Sequence, residues 1–131
     1  MDAPLSRVMM VEDEADIQTI ARLALEVLGQ FTVVICSSGP QALAEAPLFK
    51  PDLILLDVMM PGMDGPTTLG TLRADPHTAG IPVIFMTAKV QTHEVAQYQA
   101  LGALDVISKP FDPMTLSSKI CEIWARQPAV R

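Results

Sequence analysis

Residues 53–65 read LILLDVMMPGMDG: four aliphatic residues end on an acid, and turn-forming residues follow directly. An apolar run this short predicts a β-strand buried on both faces, as in a parallel sheet. The Pro61-Gly62 and Asp64-Gly65 pairs predict that the chain then leaves the sheet. Asp57 is therefore expected at the carboxyl end of the strand, where open α/β sheets bind their ligands. A solvated aspartate that caps the turn is the alternative at this point.

The composition is typical of a single, well-buried domain. The chain has 131 residues, of which 50% are hydrophobic and 18% are charged. A formal net charge of −6 argues against direct binding to nucleic acid, which needs a basic face. The sequence has no signal pattern and no run of the roughly 18 apolar residues that span a membrane. We expect a soluble, cytoplasmic protein with one domain at residues 5–127, no output domain and no membrane partner.

Cysteines and histidines are few. Cys36 ends an apolar run and Cys121 lies in a helical pattern, so both are expected to be small buried apolar residues. Nothing in their spacing indicates a disulfide-linked secreted scaffold. His77 and His93 are isolated and are expected on the surface rather than as ligands.

Short apolar runs alternate with helical patterns along the chain. Strands are predicted at residues 7–11, 31–36, 53–57, 81–86 and 104–108, the fourth of them ending at Thr87. This alternation predicts an α/β fold: a doubly wound, five-stranded parallel sheet with five helices on its two faces, joined by right-handed crossovers.

The helices are predicted from their apolar spacing and from cap residues. The first is expected to bury Ile17, Ile20, Ala21, Ala24 and Leu28 and to stop at Gly29. The second carries Ala42, Leu43 and Ala46, with Pro47 and Pro51 bracketing the next loop. The third starts at a cap, Asp64, and runs to Arg73. The fourth spans residues 92–101 and is expected to bury Val95, Ala96, Ala100 and Leu101. The fifth starts at Asp112-Pro113, ends at Gln127-Pro128 and is expected to bury Leu116, Ile120, Ile123 and Trp124.

Polar residues lie at the carboxyl ends of four of the predicted strands and are not explained by the apolar runs. They are Glu12, Asp13, Asp57, Thr87 and Lys109. If the first, third, fourth and fifth strands are neighbours, all five side chains surround one crevice. Close carboxylates attract a hard divalent cation such as Mg²⁺. A carboxylate can attack a phosphoryl group and form an aspartyl-phosphate, while a lysine and a hydroxyl stabilise the phosphoryl oxygens.

Four short motifs in this order resemble the receiver domains of two-component response regulators, and the resemblance covers essentially the whole chain. The motifs are Val11-Glu12-Asp13-Glu14, LDVMMPGMDG at residues 56–65, Thr87-Ala88 and Lys109-Pro110-Phe111. The resemblance is to the single-domain, CheY-like type. It implies a flavodoxin-like sheet with strand order 2-1-3-4-5.

The resemblance also implies a function as a signalling switch. Asp57 matches the position that accepts a phosphoryl group from a sensor histidine kinase or a phosphotransfer protein, and the altered face then binds an unidentified downstream protein. Thr87 matches the hydroxyl that moves onto the phosphoryl group, and Lys109 matches the lysine that pairs with it. A cis peptide bond is implied at Lys109-Pro110. The chain is not expected to be an enzyme in the usual sense, although it would catalyse its own phosphorylation and dephosphorylation.

The metal site implied by the resemblance holds Mg²⁺ as the cofactor. Its ligands are expected to be the acidic pair Glu12 and Asp13, the carboxylate of Asp57 and the backbone carbonyl of Met59.

Two departures from the family pattern concern the switch and the hydrolysis of the phosphoryl group. Val106 stands where the family often has an aromatic residue that couples Thr87 to the outer face. Met59 and Lys89 stand two residues after Asp57 and Thr87, where other side chains could orient a hydrolytic water.

Three other classes of function are left open by the residues. A degenerate receiver that binds partners without phosphorylation is favoured by Val106. A phosphohydrolase with an aspartyl nucleophile usually needs an acid two residues later, where this chain has Met59. A nucleotide- or flavin-binding domain is disfavoured because no glycine-rich loop follows the first strand.

Overall fold

The computed structural model describes residues 4–127. Five parallel strands form one sheet in the order β2-β1-β3-β4-β5. They are β1 (Arg7–Val11), β2 (Thr32–Cys36), β3 (Leu53–Asp57), β4 (Val83–Thr87) and β5 (Asp105–Ser108). The helices are α1 (Ala15–Arg22, continued as a π-helix at Leu23–Leu28), α2 (Gly39–Phe49), α3 (Gly65–Ala74), α4 (Thr92–Ala100) and α5 (Leu116–Ala125). The predicted doubly wound α/β fold and its strand order are confirmed.

The sheet separates two apolar cores. One core is formed with α2, α3 and α4, and includes Ala42, Leu69, Phe85 and the partly buried Tyr98. The other is formed with α1 and α5 on the opposite face. Every residue of β3 is buried, as its continuous apolar run predicts.

The start of α3 is fixed against the end of β3. Asp64 caps the helix, as predicted, because its Oδ1 accepts a hydrogen bond of 2.9 Å from the backbone N–H of Thr67. A Cβ atom on Gly65 would lie 2.6 Å from the backbone oxygen of Asp57 and 2.8 Å from the Cα of Val58. Glycine therefore allows α3 to begin in direct contact with the backbone of the acid at the tip of β3.

The first helix buries Ala21 and Ala24 and packs Ile17 against the core, as predicted, but two other predicted residues lie outside. Ile20 and Leu28 were expected inside but are 43% and 52% exposed, and Leu25 is fully buried instead. The cause for Leu28 is the π-helix, in which the N–H of Gly29 donates to the carbonyl of Ala24, five residues earlier. A π-helical turn contains more residues than an α-helical turn. The residues that follow it therefore face a different direction from the one that α-helical spacing predicts. Gly29 ends the helix as predicted.

Two helix boundaries differ from the sequence prediction. Pro47 lies inside α2, which continues to Phe49 because Phe49 packs against the core beyond it. The last helix begins at Leu116 and not at Asp112, since the Oδ1 of Asp112 accepts from the N–H of Met114 and holds residues 113–115 in a turn. The helix was predicted to end at Gln127-Pro128, but its last residue is Ala125. Pro128 lies outside the described residues.

Several surface predictions are also corrected. No residue of α4 is buried, so Ala96, Ala100 and Leu101 do not form the inner stripe that was predicted. Cys121 is exposed, whereas Cys36 is buried as expected, and both are free thiols. The two histidines are exposed, as predicted. Within residues 4–127, no helix is long and apolar enough to cross a membrane.

Candidate functional site

A pocket of about 260 Å³ opens at the carboxyl edge of the sheet. In the observed strand order, β1, β3, β4 and β5 are successive neighbours. This is the adjacency under which the sequence predicts that the polar residues at the ends of these strands come together. The pocket is lined by Asp13, Glu14, Asp57, Met59, Thr87, Ala88 and Lys109. Glu14 and Ala88 belong to the motifs at residues 11–14 and 87–88 but were not predicted to be site residues.

Three carboxylates form an acidic cluster at this edge of the sheet, although Glu12 is fully buried and does not line the pocket. One oxygen from each of Glu12, Asp13 and Asp57 lies within 4.8 Å of the other two. Glu12 and Asp57 are buried and Asp13 is exposed, so the cluster is enclosed on one side and open to solvent on the other. Because Mg²⁺ prefers oxygen ligands and retains several waters, this donor set and its open side fit that ion.

Lys109 supplies a positive charge to the cluster. Its Nζ donates to Oε1 of Glu12 at 2.9 Å and lies 3.4 Å from Oδ1 of Asp57. The other oxygen of Glu12, Oε2, accepts from the backbone N–H of Glu14 at 3.1 Å. Oδ1 of Asp57 also accepts from the N–H of Met59 at 3.3 Å. One ammonium faces three carboxylates, so the described side chains leave net negative charge at the site.

Burial dominates the proton affinities of the two inner acids. It raises the pKa of Asp57, and the nearby Lys109 charge offsets this only in part. Burial likewise raises the pKa of Glu12 against the hydrogen bond from Lys109. Burial lowers the pKa of the Lys109 ammonium, but its hydrogen bond to Glu12 and the charge of Asp57 more than offset this, so that pKa is raised.

Thr87 ends β4 beside the pocket and is 3% exposed. Its Oγ1 accepts a 3.1 Å hydrogen bond from the backbone N–H of Lys89, which leaves its hydroxyl hydrogen available to a ligand. Its carbonyl accepts from the N–H of Lys109 at 2.9 Å, so the ends of β4 and β5 are tied together. The Lys109-Pro110 peptide bond is cis, as the resemblance implies.

The two residues expected to flank a phosphoryl group differ in position. Met59 lines the pocket and is 71% exposed. Lys89 is exposed but is not among the residues that line the pocket.

The model of the response regulator receiver domain family matches residues 8–121. This chain therefore belongs to the receiver domain family, whose members are signalling modules of two-component systems.

Curated relatives contain the same domain within longer chains. The DNA-binding response regulator MtrA of Mycobacterium bovis is 38% identical over 120 residues, which are 92% of this chain and 51% of MtrA. The response regulator PleD of Caulobacter vibrioides is 40% identical over 117 residues, 88% of this chain and 25% of PleD. The chain thus spans about half the length of MtrA and a quarter of PleD.

Solved structures with the same fold include single receiver chains. The chemotaxis response regulator CheY4 of Vibrio cholerae has a TM-score of 0.83 and 27% identity, and the match covers 91% of this chain and 98% of CheY4. A response regulator from Desulfuromonas acetoxidans has a TM-score of 0.80 and 29% identity, over 92% and 97% of the two chains. The fold is CheY-like.

Proposed function

We propose that residues 5–127 form a switch that accepts a phosphoryl group on Asp57 from a histidine kinase or a phosphotransfer protein, in a reaction that requires Mg²⁺. The observation that carries this proposal is the position of Asp57: its carboxylate lies between two further acids and Lys109, in a pocket open to solvent. The phosphorylated chain then presents a changed face to a downstream protein.

Asp57 is the nucleophile in this proposal. One of its carboxylate oxygens forms a bond to phosphorus while the bond between phosphorus and the donor's leaving group breaks, and the leaving group departs with that electron pair. Asp13, Asp57, Glu12 and the carbonyl of Met59 are the proposed ligands of the metal. Bound Mg²⁺ supplies positive charge that stabilises the phosphoryl oxygens during transfer.

Lys109 and Thr87 act on the product. Lys109 is already within 3.4 Å of Asp57, so a small movement carries its ammonium from the carboxylate to a phosphoryl oxygen. Thr87 turns its hydroxyl toward the same group and donates a hydrogen bond. These two contacts distinguish the phosphorylated chain from the free one.

A second candidate, a receiver that binds partners without phosphorylation, rests on Val106 in place of the usual aromatic residue. The complete acidic cluster and the Lys109 contacts favour the phosphorylated switch instead.

The test is intact mass after incubation with a small phosphodonor, with and without Mg²⁺. We expect one phosphate adduct that needs the metal and that disappears in Asp57→Asn. The matched control is Asp16→Asn, which removes an exposed acid of α1 outside the cluster and should keep the adduct. An adduct that survives in Asp57→Asn contradicts the assignment, and absence of any adduct in the wild-type chain favours the second candidate.

A further inference from the structure

Phe85 lies in the core beneath α4, two residues before Thr87 of the pocket. Phe85 and Thr87 are two residues apart in β4, so their side chains point to the same face of the sheet. Phe85 is fully buried, and its register partner on β5 is Val106. Val106 is partly buried, and its short aliphatic side chain provides no aromatic ring at this position.

Tyr98 of α4 occupies this region instead. Its ring meets that of Phe85 edge-on, with the centroids 5.2 Å apart and the planes at 71°. Tyr98 and Val106 both pack against the same core cluster. An aromatic ring is therefore present next to the β4–β5 pair, but it comes from the helix and not from β5.

The rest of α4 is weakly attached to the sheet. None of its residues is buried, and Tyr98 is the α4 residue that packs against the core cluster. An element with few buried apolar contacts opens at low free-energy cost. A change in the position of Phe85 or Tyr98 therefore acts on a helix that little else holds.

Thr87 is linked to α4 by a second path. Its Oγ1 accepts from the N–H of Lys89, in the segment 88–91 that leads into the helix. If the Thr87 hydroxyl turns toward a phosphoryl group on Asp57, the geometry of this hydrogen bond changes. The same movement would displace a side chain on the face of β4 that carries Phe85, and would alter the path of the loop that starts α4.

We propose that Tyr98 couples the phosphorylation state of Asp57 to the position of α4, through Thr87 and Phe85, and so takes the place of the aromatic residue missing at Val106. This inference rests on the proposed function, because it needs the phosphoryl group on Asp57. It assigns the change in the partner-binding face to α4.

The composition offers a selective probe of this coupling. The chain has one tyrosine and one tryptophan, so fluorotyrosine labels position 98 alone and fluorotryptophan labels position 124 on α5. We expect the ¹⁹F signal of the labelled Tyr98 to shift by more than its linewidth after phosphodonor and Mg²⁺ are added. The fraction shifted should equal the phosphorylated fraction measured by mass on the same sample. The Trp124 signal is the internal control and should move much less.

Two variants test the path. Phe85→Leu keeps an apolar residue and should be phosphorylated to the same extent by mass, but most of the Tyr98 shift should be lost. In Tyr98→Leu, hydrogen exchange of the α4 amides should no longer depend on phosphorylation, whereas in the wild-type chain it should.

Failure of the inference and failure of the proposed function give different results. A chain that is phosphorylated by mass but shows an unchanged Tyr98 signal, or equal shifts at Tyr98 and Trp124, overturns the coupling and leaves the phosphoryl acceptor in place. A chain that takes no phosphoryl group overturns the proposed function itself, and the coupling with it.

Discussion

Asp57 and Glu12 are held in a position that costs stability. Both carboxylates are buried near a third acid, and Lys109 offsets only part of their charge. Sites that bind charged ligands commonly store such a cost, which the ligand relieves.

Removing the charge of Asp57 is therefore expected to stabilise the metal-free chain. Burial raises the pKa of Asp57, so the folded state binds its proton more tightly than the unfolded state does. Stability then falls as pH rises through the folded pKa and recovers as pH falls through it. In EDTA near neutral pH, we expect Asp57→Asn to raise Tm by about 3–5 °C, the equivalent of roughly 1 kcal/mol.

The check is thermal unfolding of both chains across a pH series. The difference in Tm should shrink as pH falls, because the wild-type carboxylate takes up its proton at a higher pH than an exposed aspartate does. A variant that melts below the wild-type chain near neutral pH contradicts the expected balance of charges.

The lifetime of the phosphoryl group depends on how a water is held in line with the Asp57–phosphorus bond. Met59 lines the pocket without a side-chain hydrogen bond to offer, and Lys89 cannot accept one from water. We expect Met59→Asn to shorten the lifetime about fivefold, the effect of one hydrogen bond of ~1 kcal/mol. Lys89→Glu should shorten it less, because Lys89 does not line the pocket.

The measurement is decay of the phosphate adduct after the donor is removed. Met59→Leu is the control, since it keeps an apolar side chain and should keep the slow decay. Equal decay in Met59→Asn and Met59→Leu shows that the lifetime is set elsewhere.

At the level of the elements, the start of α3 packs directly against the backbone at the end of β3, where Asp57 lies. Gly65 and Gly70 lie in the same helix but meet different surroundings. A Cβ at Gly65 would come within 3.0 Å of the β3 backbone, whereas a Cβ at Gly70 meets nothing within 4 Å.

Alanine at these two positions should therefore have opposite effects. Gly65→Ala should destabilise the chain by about 1–3 kcal/mol through overpacking, and it should slow phosphorylation because Asp57 belongs to the backbone that must move. Gly70→Ala should stabilise the chain by about 0.5–1 kcal/mol, since alanine favours a helix over glycine. Urea unfolding of the two variants measures both values, and a loss of stability in each would contradict the argument.

Most elements could be predicted from the sequence, because their signals are local. The β3 run and the Asp64 cap each depend on a few adjacent residues, and both were located correctly. The π-helix was not predicted from local spacing. The Ala24 carbonyl within it accepts a 2.7 Å hydrogen bond from the hydroxyl of Ser117 on α5, 93 positions away, and such a contact cannot be read from neighbouring residues. The helix α4 was predicted, but its exposure was not. Its apolar spacing does not show that Tyr98 is the residue that packs against the core.

For the molecule as a whole, the site exists only once the sheet is assembled. The residue types pointed to Asp57, Asp13 and Lys109 as partners, but their proximity depends on strand order. That order came from the family resemblance, and the structure agrees with it. The paired contact between Lys109 and Glu12 could not be derived from spacing, since the two residues are 97 positions apart.

A divalent cation should stabilise the folded chain, because only the assembled sheet brings the three carboxylates together. At ten times Kd, binding to the folded state alone contributes about 1.4 kcal/mol. We expect Mg²⁺ to raise the wild-type Tm and Asp13→Ala to lose most of that rise. Asp16→Ala, which removes an exposed acid outside the cluster, should keep it. An unchanged wild-type Tm at millimolar Mg²⁺ contradicts a working metal site.

The contrast between the two thiols has a practical consequence. Cys36, the last residue of β2, is buried in the core beside α2, and burial raises its pKa to about 12, so it holds its proton and stays out of reach of reagents. Cys121 lies exposed on α5, away from the pocket that contains Asp57. The natural chain therefore carries one addressable attachment point, through which a maleimide dye or a surface tether can be fixed to α5 without mutation. Immobilised in this way, the molecule keeps the pocket at Asp57 open for binding measurements.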